Sequence, residues 1–563
     1  MPTAPAYRAT ALTARRHLLV GFLVLLALRL GLSLLRTGPL LVADETGYLT
    51  NARVLAGGVS GQMTGAPFYH GGYSLLIAPL VATGASPEHV YDLVLVLNAL
   101  LAAALVPLLY LLLTRAFGAS PRAAAPAAVV AAAYPAVTLL SQAAMSENLL
   151  FPLVVVWLLL AATLAGASTP RAGAVRAAAV GAVAAALYAV HGRMIVGLAL
   201  CAVYLVVLAV RRTLAPAAAA AGLVVLAAGV VAARGLDRYL VSHNYAGRAP
   251  DEAGQRLSSL TSLDSFATVL RNLVGQSWYV LVATLGLPLL ALVLVGRRGV
   301  TGGTQRRRVS LALLLALTAG LLVVSALSFP ETERPDMFVY GRYVEIVFPP
   351  LLALAIAALW ERPATRRAIL VAAGVVCGAT AVVVGLRLTF HPDRGPNRWD
   401  IAGLPAPSFQ LDAKVLALAG LAVVVWLGIV AAGCSRLRLS VAVVVAASFV
   451  LTTANVVRNP LLSGQRQVYG AGWTDPAGAI RTSARATSVG YDTDAYDIFG
   501  LYAYQWFFRH AHIVPFHGNR TIPDTLYFVS SKGWPARHRS VQVRRLWSDP
   551  NRDQALFRLV GRA

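Results

Sequence analysis

An acidic pair, Asp44-Glu45, directly follows the first long apolar segment of this chain and is the part of the sequence best suited to chemistry. Only 24 of the 563 residues are Asp or Glu. Carboxylates at the edge of a long apolar segment are costly unless they are well solvated or have a function. We therefore expect the polar loop after the first apolar segment to carry a site at which a carboxylate can accept a proton.

The composition identifies the chain as a polytopic membrane protein. Hydrophobic residues make up 58% of the sequence and charged residues 13%, and many apolar runs reach the roughly 20 residues that span a bilayer as a helix. The net charge of +24 would suggest nucleic acid in a soluble domain. Here much of the Arg falls in short loops between apolar runs, where it sets topology and contacts anionic headgroups. We therefore expect membrane lipids, and no nucleic acid, as partners.

The apolar runs predict about 13 membrane-spanning helices, by the length that a bilayer requires. The first run, from about His17 to Leu35, follows a basic N-terminus and is not followed by a small-residue cleavage site, so we expect a retained anchor with a cytoplasmic N-terminus. The further spans are predicted to begin near Tyr91, Arg122, Leu149, Gly173, Met194, Leu214, Asn272, Val309, Tyr343, Arg367, Leu411 and Leu439. This assignment places six Arg-rich loops on the cytoplasmic side. The run from Tyr73 to Thr83 is too short to span and is predicted to be re-entrant or interfacial.

Polar patches poor in arginine fall together on the opposite, extracytoplasmic side. We divide the chain into a transmembrane domain, residues 1–457, whose external loop 37–90 carries the acidic motif, and an extracytoplasmic α/β domain, residues 458–563. In the second domain the pattern predicts helices at 473–485 and 496–510 and strands at 488–491, 512–516, 525–529, 541–547 and 555–560. A folded cap over the membrane part and a catalytic role are equally good interpretations of this domain.

Four short motifs, by their order and their common side, resemble those of the C-type glycosyltransferases (GT-C). They are Asp44-Glu45 with Tyr48 and Pro67-Phe68-Tyr69-His70-Gly71-Gly72-Tyr73 in the first loop, then Ser146-Glu147-Asn148, His191-Gly192-Arg193 and Tyr340-Gly341-Arg342-Tyr343. The pattern is similar to that of lipid A aminoarabinose transferases and protein O-mannosyltransferases. The aminoarabinose transferases also have about 13 helices followed by an extracytoplasmic domain, so the resemblance covers the topology of most of the chain. It implies an all-α, GT-C-like polytopic fold and transfer of a sugar from a polyprenyl-phosphate donor.

The chemistry of such a transfer assigns a role to the acidic pair. A sugar carried on a lipid phosphate needs no nucleotide, which agrees with a sequence that has no Gly-rich phosphate loop. In an inverting displacement an acceptor hydroxyl attacks the anomeric carbon, and a carboxylate must take its proton. We take Asp44 as the first choice of base and Glu45 as the second, since the related enzymes use the first carboxylate of this pair. The alternative is that the pair only solvates the end of the first helix.

The other motifs supply candidates to bind the donor. Arginine stabilises the growing charge on a leaving phosphate, and we take Arg342 as the first candidate and Arg193 as the second, although a snorkelling arginine at a helix end is the alternative. Further candidates to contact the phosphate or the sugar are His70, Tyr73, Glu147, His191 and Tyr340. Some relatives have Lys before Pro where this chain has His70. The first loop has no Asp-x-Asp and the chain has no His-rich ligand spacing, so we expect no metal and no other cofactor.

A lipid-linked sugar flippase or transporter is the competing interpretation, and an envelope assembly scaffold is a third. Transporters usually carry ionisable residues near the membrane midplane and often consist of repeated halves. In this chain most ionisable residues lie at the ends of predicted helices, and no repeated halves are visible. We therefore favour a plasma-membrane enzyme whose acceptor is a glycan, a lipid or a protein, and for which mannose and arabinose are both plausible sugars.

Overall fold

The computed structural model combines a large all-α membrane part with a small C-terminal α/β domain, as the sequence predicts. It describes residues 4–40, 43–64, 66–164, 169–245, 254, 261–293, 304–329, 334–361, 365–390, 392, 395–405, 410–432, 437–470, 472–480, 488–496 and 498–562. One continuous apolar core extends through the helices and includes buried residues of the C-terminal domain.

Helices coincide with all thirteen predicted spans. Their bounds are Ala4–Ser33; Pro87–Ala103 with Leu105–Leu111 and Leu112–Ala116; Pro121–Ala132 with Pro135–Leu140; Glu147–Leu164; Pro170–Val190; Gly192–Met194 with Ile195–Val210; Pro216–Asn244; Leu263–Ala283; Gln305–Leu327; Phe348–Glu361; Arg366–Leu388; Ala413–Ala432; and Leu437–Val456. Nine helices of the described chain are long and apolar enough to cross a membrane. The number is ten if Leu263–Ala283 and Leu287–Val293, which are bent by 87°, form one span.

Two of the predicted spans are shorter than a full membrane crossing, and this accounts for part of the difference from thirteen. The helix Pro121–Ala132 stops before Pro135, which begins the next short helix, because proline cannot continue the hydrogen-bonding pattern of the preceding turn. The helix Phe348–Glu361 has 14 residues, fewer than the roughly 20 that a bilayer requires. A 3-10 turn at Glu345–Val347 lies between the motif that contains Arg342 and this helix.

The loop between the first two spans is built on two short helices. Ala43–Leu55 begins at the acidic pair, and Gly71–Ala82 begins directly after His70. Acidic residues in the first turn are stabilised by the helix dipole, which explains why the chain turns helical at this point. Gly71–Ala82 is apolar but only 12 residues long, in line with the prediction of a short non-spanning segment. The acidic pair therefore lies on a regular helix.

Glycine permits the close packing of these loop helices. A Cβ atom on Gly47 would lie 2.1 Å from the Tyr69 ring, and one on Gly72 would lie 2.6 Å from the main chain of Ala189. Since real Cβ atoms do not approach so closely, a larger residue would push Tyr69 off the acidic helix or part Gly71–Ala82 from the helix Pro170–Val190. The two glycines therefore help to fix the position of the acidic pair.

The C-terminal domain is a five-stranded sheet with strand order β2-β1-β3-β5-β4. The strands are β1 (Ser488–Asp492), β2 (His512–Phe516), β3 (Tyr527–Ser531), β4 (Val541–Ser548) and β5 (Gln554–Arg562), and the helix Ile498–Phe507 connects β1 to β2. β1 pairs in parallel with β2 and β3, whereas β5 pairs antiparallel with β3 and β4. Of the helix predicted at 473–485, the structure shows a short 3-10 turn at Pro476–Ala479, and 481–487 lie outside the described residues.

Hydrogen bonds attach this domain to the acidic loop. Arg53 donates to the main-chain oxygen of Gln505 over 2.6 Å, and the Gln505 side chain accepts from the main-chain N–H of Gln62 over 2.7 Å. Tyr502 donates to the main-chain oxygen of Thr64. The domain and the acidic loop therefore lie at the same end of the helix bundle. The domain boundary at residue 458 stays a prediction, because the helix Leu437–Val456 continues into further helical turns up to Val468.

Candidate active site

Arg342 lies at the centre of a group of buried charges at this end of the bundle. It donates from Nη1 to Asp44 Oδ2 over 2.5 Å and from Nε to Glu147 Oε1 over 2.9 Å. Its Nη2 donates to Glu147 Oε2 over 3.2 Å, and Asp400 Oδ1 lies 3.8 Å from Nη1. The guanidinium group thus joins carboxylates from three separate segments of the chain.

Glu147 extends the group to a second arginine. Arg193 donates from Nη2 to Glu147 Oε1 over 3.0 Å, and both side chains are fully buried. The Arg193 guanidinium also lies over the Tyr343 ring, 4.6 Å from its centre. Its Nε and Nη1 have no hydrogen-bond partner among the atoms of the described structure. A buried guanidinium with two unused donors is costly unless something else accepts from it, so Arg193 can still bind an anion.

Asp400 and its neighbours were not singled out from the sequence. Arg334 donates from Nη2 to Asp336 Oδ2 over 2.9 Å and to Asp400 Oδ2 over 3.0 Å. The main-chain oxygen of Asp400 accepts from the N–H groups of Gly341 and Arg342, so the turn that carries Asp400 holds the Arg342 backbone in place. The only sequence signal for these residues was their position in two polar patches, around 331–342 and 391–410. We refer to Asp44, Glu147, Arg193, Arg334, Asp336, Arg342 and Asp400 as the charged cluster.

A layer of histidine and aromatic side chains lies beside the charged cluster. The His70 and His191 rings stack with centres 6.3 Å apart, and His191 meets Tyr343 edge to face. His70 Nδ1 lies 2.9 Å from Asp237 Oδ2, a carboxylate that the sequence did not single out. A Cβ on Gly192 would lie 2.5 Å from His70 Nε2, which explains a glycine between His191 and Arg193. Desolvation and the nearby Arg193 lower the pKa of His191 well below its usual value, so His191 is neutral at pH 7.

Three of the predicted site residues are buried among side chains that do not belong to the charged cluster. Tyr73 is completely buried and donates to Asn98, so its ring offers no face to a sugar in this arrangement. Tyr340 is also buried, with its ring packed between Phe329 and Tyr343.

Glu45 is the third of these residues, and it points away from the charged cluster. It accepts from the main-chain N–H groups of Leu40 and Ala144 and from the Tyr91 hydroxyl. We call these three donors the Glu45 cage. Behind it, Arg36 donates to Tyr91. Burial raises the pKa of Glu45 despite the opposing effect of Arg36. Glu45 is therefore held by fixed donors and has no open side from which to accept a substrate proton.

Asp44 differs from the other carboxylates of the charged cluster in its access to solvent. Its side chain is 28% exposed, compared with 0% for Glu147 and Asp336 and 3% for Asp400. In this arrangement the accessible Asp44 carboxylate can accept a proton near the surface, and the buried arginines can bind an anion deeper in the protein. Over the described residues, no group of three or more His, Cys, Asp or Glu side chains is arranged to hold a metal ion, and the absence of a metal stays a prediction.

Comparison with known proteins identifies the fold. No family model and no curated protein matches the chain. Among solved structures it is similar to the crystal structure of ArnT from Cupriavidus metallidurans bound to undecaprenyl phosphate, with a TM-score of 0.52 and 16% identity over 96% of this chain and 97% of that chain. The apo state of the same ArnT gives a TM-score of 0.51 at the same identity and coverage.

These likenesses, at 16% identity, establish the fold and leave the activity open. ArnT is an aminoarabinose transferase of the GT-C type. The chain is therefore a polytopic membrane protein with the fold of GT-C enzymes, and the fold expected from the motifs is confirmed.

Proposed function

We propose that this protein is an integral membrane glycosyltransferase that moves a sugar from a polyprenyl-phosphate donor to a cell-envelope acceptor, with inversion at the anomeric carbon. The observation that carries the proposal is the run of contacts from Asp44 through Arg342 and Glu147 to Arg193, which combines one accessible carboxylate with buried cations. The shared fold supports the class of donor, because the ArnT structure contains undecaprenyl phosphate.

The proposed reaction is a single displacement. The acceptor oxygen attacks the anomeric carbon, and the bond from that carbon to the phosphate oxygen breaks with its electron pair remaining on the phosphate. The hydroxyl proton passes to an Asp44 oxygen, so the products are the glycosylated acceptor, a polyprenyl phosphate and a protonated Asp44 that later loses its proton to water. General-base assistance of this kind typically accelerates a reaction by about 10²–10⁴-fold.

The phosphate is proposed to bind between the two arginines. Arg193 has two unused donors for it, whereas every nitrogen of Arg342 already meets Asp44, Glu147 or Met145. A phosphate that approaches Arg342 at Nη1 would compete with Asp44 for that nitrogen. This exchange would free Asp44 to act as a base in the same event that fixes the leaving group, since an ion-paired carboxylate is a poor proton acceptor.

The active site is proposed to face the extracytoplasmic side of the plasma membrane, with the N-terminus in the cytoplasm. Exposed positions for cysteine labelling are Thr83 beside the acidic loop, Asn519 in the C-terminal domain and Arg308 at the start of the helix Gln305–Leu327. In a cysteine-free background, an impermeant thiol reagent should label Thr83→Cys and Asn519→Cys in intact cells but label Arg308→Cys only after lysis. Labelling of Arg308→Cys in intact cells would contradict this topology.

The activity itself is tested with purified protein in lipid nanodiscs. We would incubate it with a panel of polyprenyl-phosphate sugars and a cell-envelope extract, and use mass spectrometry to follow loss of each donor and release of polyprenyl phosphate. One donor should be consumed by the wild-type protein and not by Asp44→Asn. A flippase would instead move the intact lipid across a vesicle membrane without changing its mass, so an unchanged donor panel together with such movement would replace the transferase by the flippase.

A further inference from the structure

Two buried aspartates in the charged cluster bind the same arginine nitrogen. Asp336 and Asp400 both accept from Arg334 Nη2, over 2.9 and 3.0 Å. Because one nitrogen holds both carboxyl groups, they lie close together, and they are 0% and 2% exposed. Two ionised carboxylates in such a position repel strongly, because little solvent separates them. A proton between the two would turn the repulsion into a hydrogen bond.

The net charge of the charged cluster also favours a proton between the two aspartates. It contains three arginines, at 193, 334 and 342, and four carboxylates, at 44, 147, 336 and 400. With every group ionised, the site would be net negative before an anionic substrate arrived. An additional buried negative charge is costly unless it is compensated. A donor with a phosphodiester group adds one such charge, so the site needs either a proton or a cation when it binds.

We propose that Asp336 and Asp400 share one proton, and that this proton allows the site to accept the anionic phosphate of the donor. The inference rests on the proposed function, since it assigns the pair a role in binding a lipid phosphate. The two aspartates act on the substrate through Arg334 and Arg342, so they are positioning residues. The proton stays on the pair during transfer, and the proton of the acceptor goes to Asp44.

The electrostatic surroundings of the pair support this. Burial first, and then the neighbouring Asp336, raise the pKa of Asp400 to about 8, although Arg342 and Arg334 act in the opposite sense. The other charged or titratable groups that act on Asp400 are Asp44, and Tyr340 on the adjoining segment. With a pKa of about 8, the Asp400 carboxyl is protonated at neutral pH and loses its proton as the pH rises through about 8. Binding of an anion should therefore weaken above that pH.

The test is a binding measurement on the full-length protein in nanodiscs. The probe is the methyl ester of undecaprenyl phosphate, a phosphodiester whose own charge does not change between pH 6.5 and pH 9.5, and affinity is measured by calorimetry. For the wild type we expect nearly constant affinity below pH 7.5 and a fall approaching about tenfold per pH unit above pH 8, the slope for one bound proton. Near pH 8, the measured heat should also change with the ionisation enthalpy of the buffer, because binding takes up a fraction of a proton.

Amide variants of the two aspartates distinguish a shared proton from a purely structural role of the pair. Asp400→Asn places an amide where the protonated carboxyl would be, so it should bind the probe at pH 9 about as well as the wild type does at pH 7. Asp336→Asn should behave alike and serves as a second variant if the first does not fold. Asp412→Asn, which removes a carboxylate that caps the helix Ala413–Ala432 outside the charged cluster, should keep the wild-type pH dependence.

The binding experiments distinguish failure of the shared proton from failure of the proposed function. Binding that is independent of pH and buffer in the wild type would overturn the shared proton and leave the proposed transferase intact. Binding that requires a divalent cation and is lost on chelation would also overturn it, since a metal would then hold the two aspartates. Failure of the probe and of every polyprenyl-phosphate sugar to bind would count against the proposed function itself.

Discussion

Asp44, in the charged cluster, and Glu45, in its cage, are adjacent residues of one helix, but their carboxylates are bound in different ways. Glu45 is fully buried and accepts from the Leu40 and Ala144 main chain and the Tyr91 hydroxyl. Asp44 is partly exposed, and an arginine side chain holds it. Main-chain donors belong to the fold and cannot be withdrawn, whereas a guanidinium can exchange one anion for another. The comparison separates a carboxylate that stabilises the site from one that is free to react.

The cage also explains how the acidic helix is aligned with the second motif. Glu45 accepts from Ala144, three residues before Glu147, while its other oxygen accepts from Leu40. Glu45 thus fixes the start of the acidic helix against the turn that leads into Glu147–Leu164. Asp44 and Glu147 can then meet the same guanidinium, that of Arg342. We infer that the second acidic residue of the pair positions the first.

Apart from loss of the base itself, the largest effect is expected at the centre of the charged cluster. Arg342→Met keeps much of the stem but leaves Asp44 and Glu147 without their shared cation, and we expect turnover at saturating donor to fall by about 10³-fold, near the upper limit for loss of one stabilising donor. Arg342→Lys keeps a point charge without the planar fork and should retain a measurable part of the rate. Initial rates of donor consumption test both variants.

If Arg342→Met had the turnover and donor affinity of the wild type, the charged cluster would be no more reactive than the Glu45 cage. Arg342 would then be a snorkelling arginine, and the phosphate would have to be bound by Arg193 alone. The matched control is Arg366→Met, which truncates an exposed arginine at the start of another helix and should leave the rate unchanged.

A smaller effect is expected at the buried end of the cluster. Arg193→Lys keeps the positive charge near Glu147 but removes the two donors that have no partner in the described structure. Loss of one charge-assisted hydrogen bond to a phosphate, worth about 1.5–3 kcal/mol, should raise the donor KM by about tenfold to a hundredfold. The change should fall mainly on KM, with kcat altered less. An unchanged KM together with a lower melting temperature would make Arg193 a support for Glu147 and nothing more.

The smallest effect on rate, but a clear effect on stability, is expected in the cage. Glu45→Gln puts an amide group where three donors converge, and one buried donor then loses its acceptor, which typically costs about 1–3 kcal/mol. We expect a lower melting temperature and a turnover within about threefold of the wild type, because the base is intact. Thermal unfolding and initial rates on the same preparation provide the readout. A loss of turnover as large as that of Asp44→Asn, with normal stability, would mean that the roles of the two residues are reversed.

The sequence predicted the architecture well because its signals were local. Apolar runs located helices at all thirteen expected positions, and alternating patterns located the five strands of the C-terminal domain. The breaks were harder to foresee. The 87° bend that follows Leu263–Ala283 lies at Gly286-Leu287-Pro288, a helix-breaking sequence that was not used in locating the spans.

The site was predicted only where residues formed a compact motif. Asp44, Glu147, Arg193 and Arg342 each belong to such a motif, and the structure brings them into direct contact. Asp400 and Asp336 are far apart in sequence and have no flanking pattern, so only the fold could bring them together on Arg334. Conversely, Tyr73 and Glu45 share motifs with site residues but face the interior, because neighbours on one helix point in different directions.

The central claim is that Asp44 is the base of a lipid-phosphate sugar transferase. Its most direct test compares the initial rate of donor consumption by Asp44→Asn and by the wild type at saturating donor, with thermal unfolding measured on the same samples. An amide cannot accept the hydroxyl proton, so we predict a rate lower by about 10²–10⁴-fold with an unchanged melting temperature. A variant that folds normally and retains more than about a tenth of the wild-type rate would contradict the account, since general-base effects are larger than that.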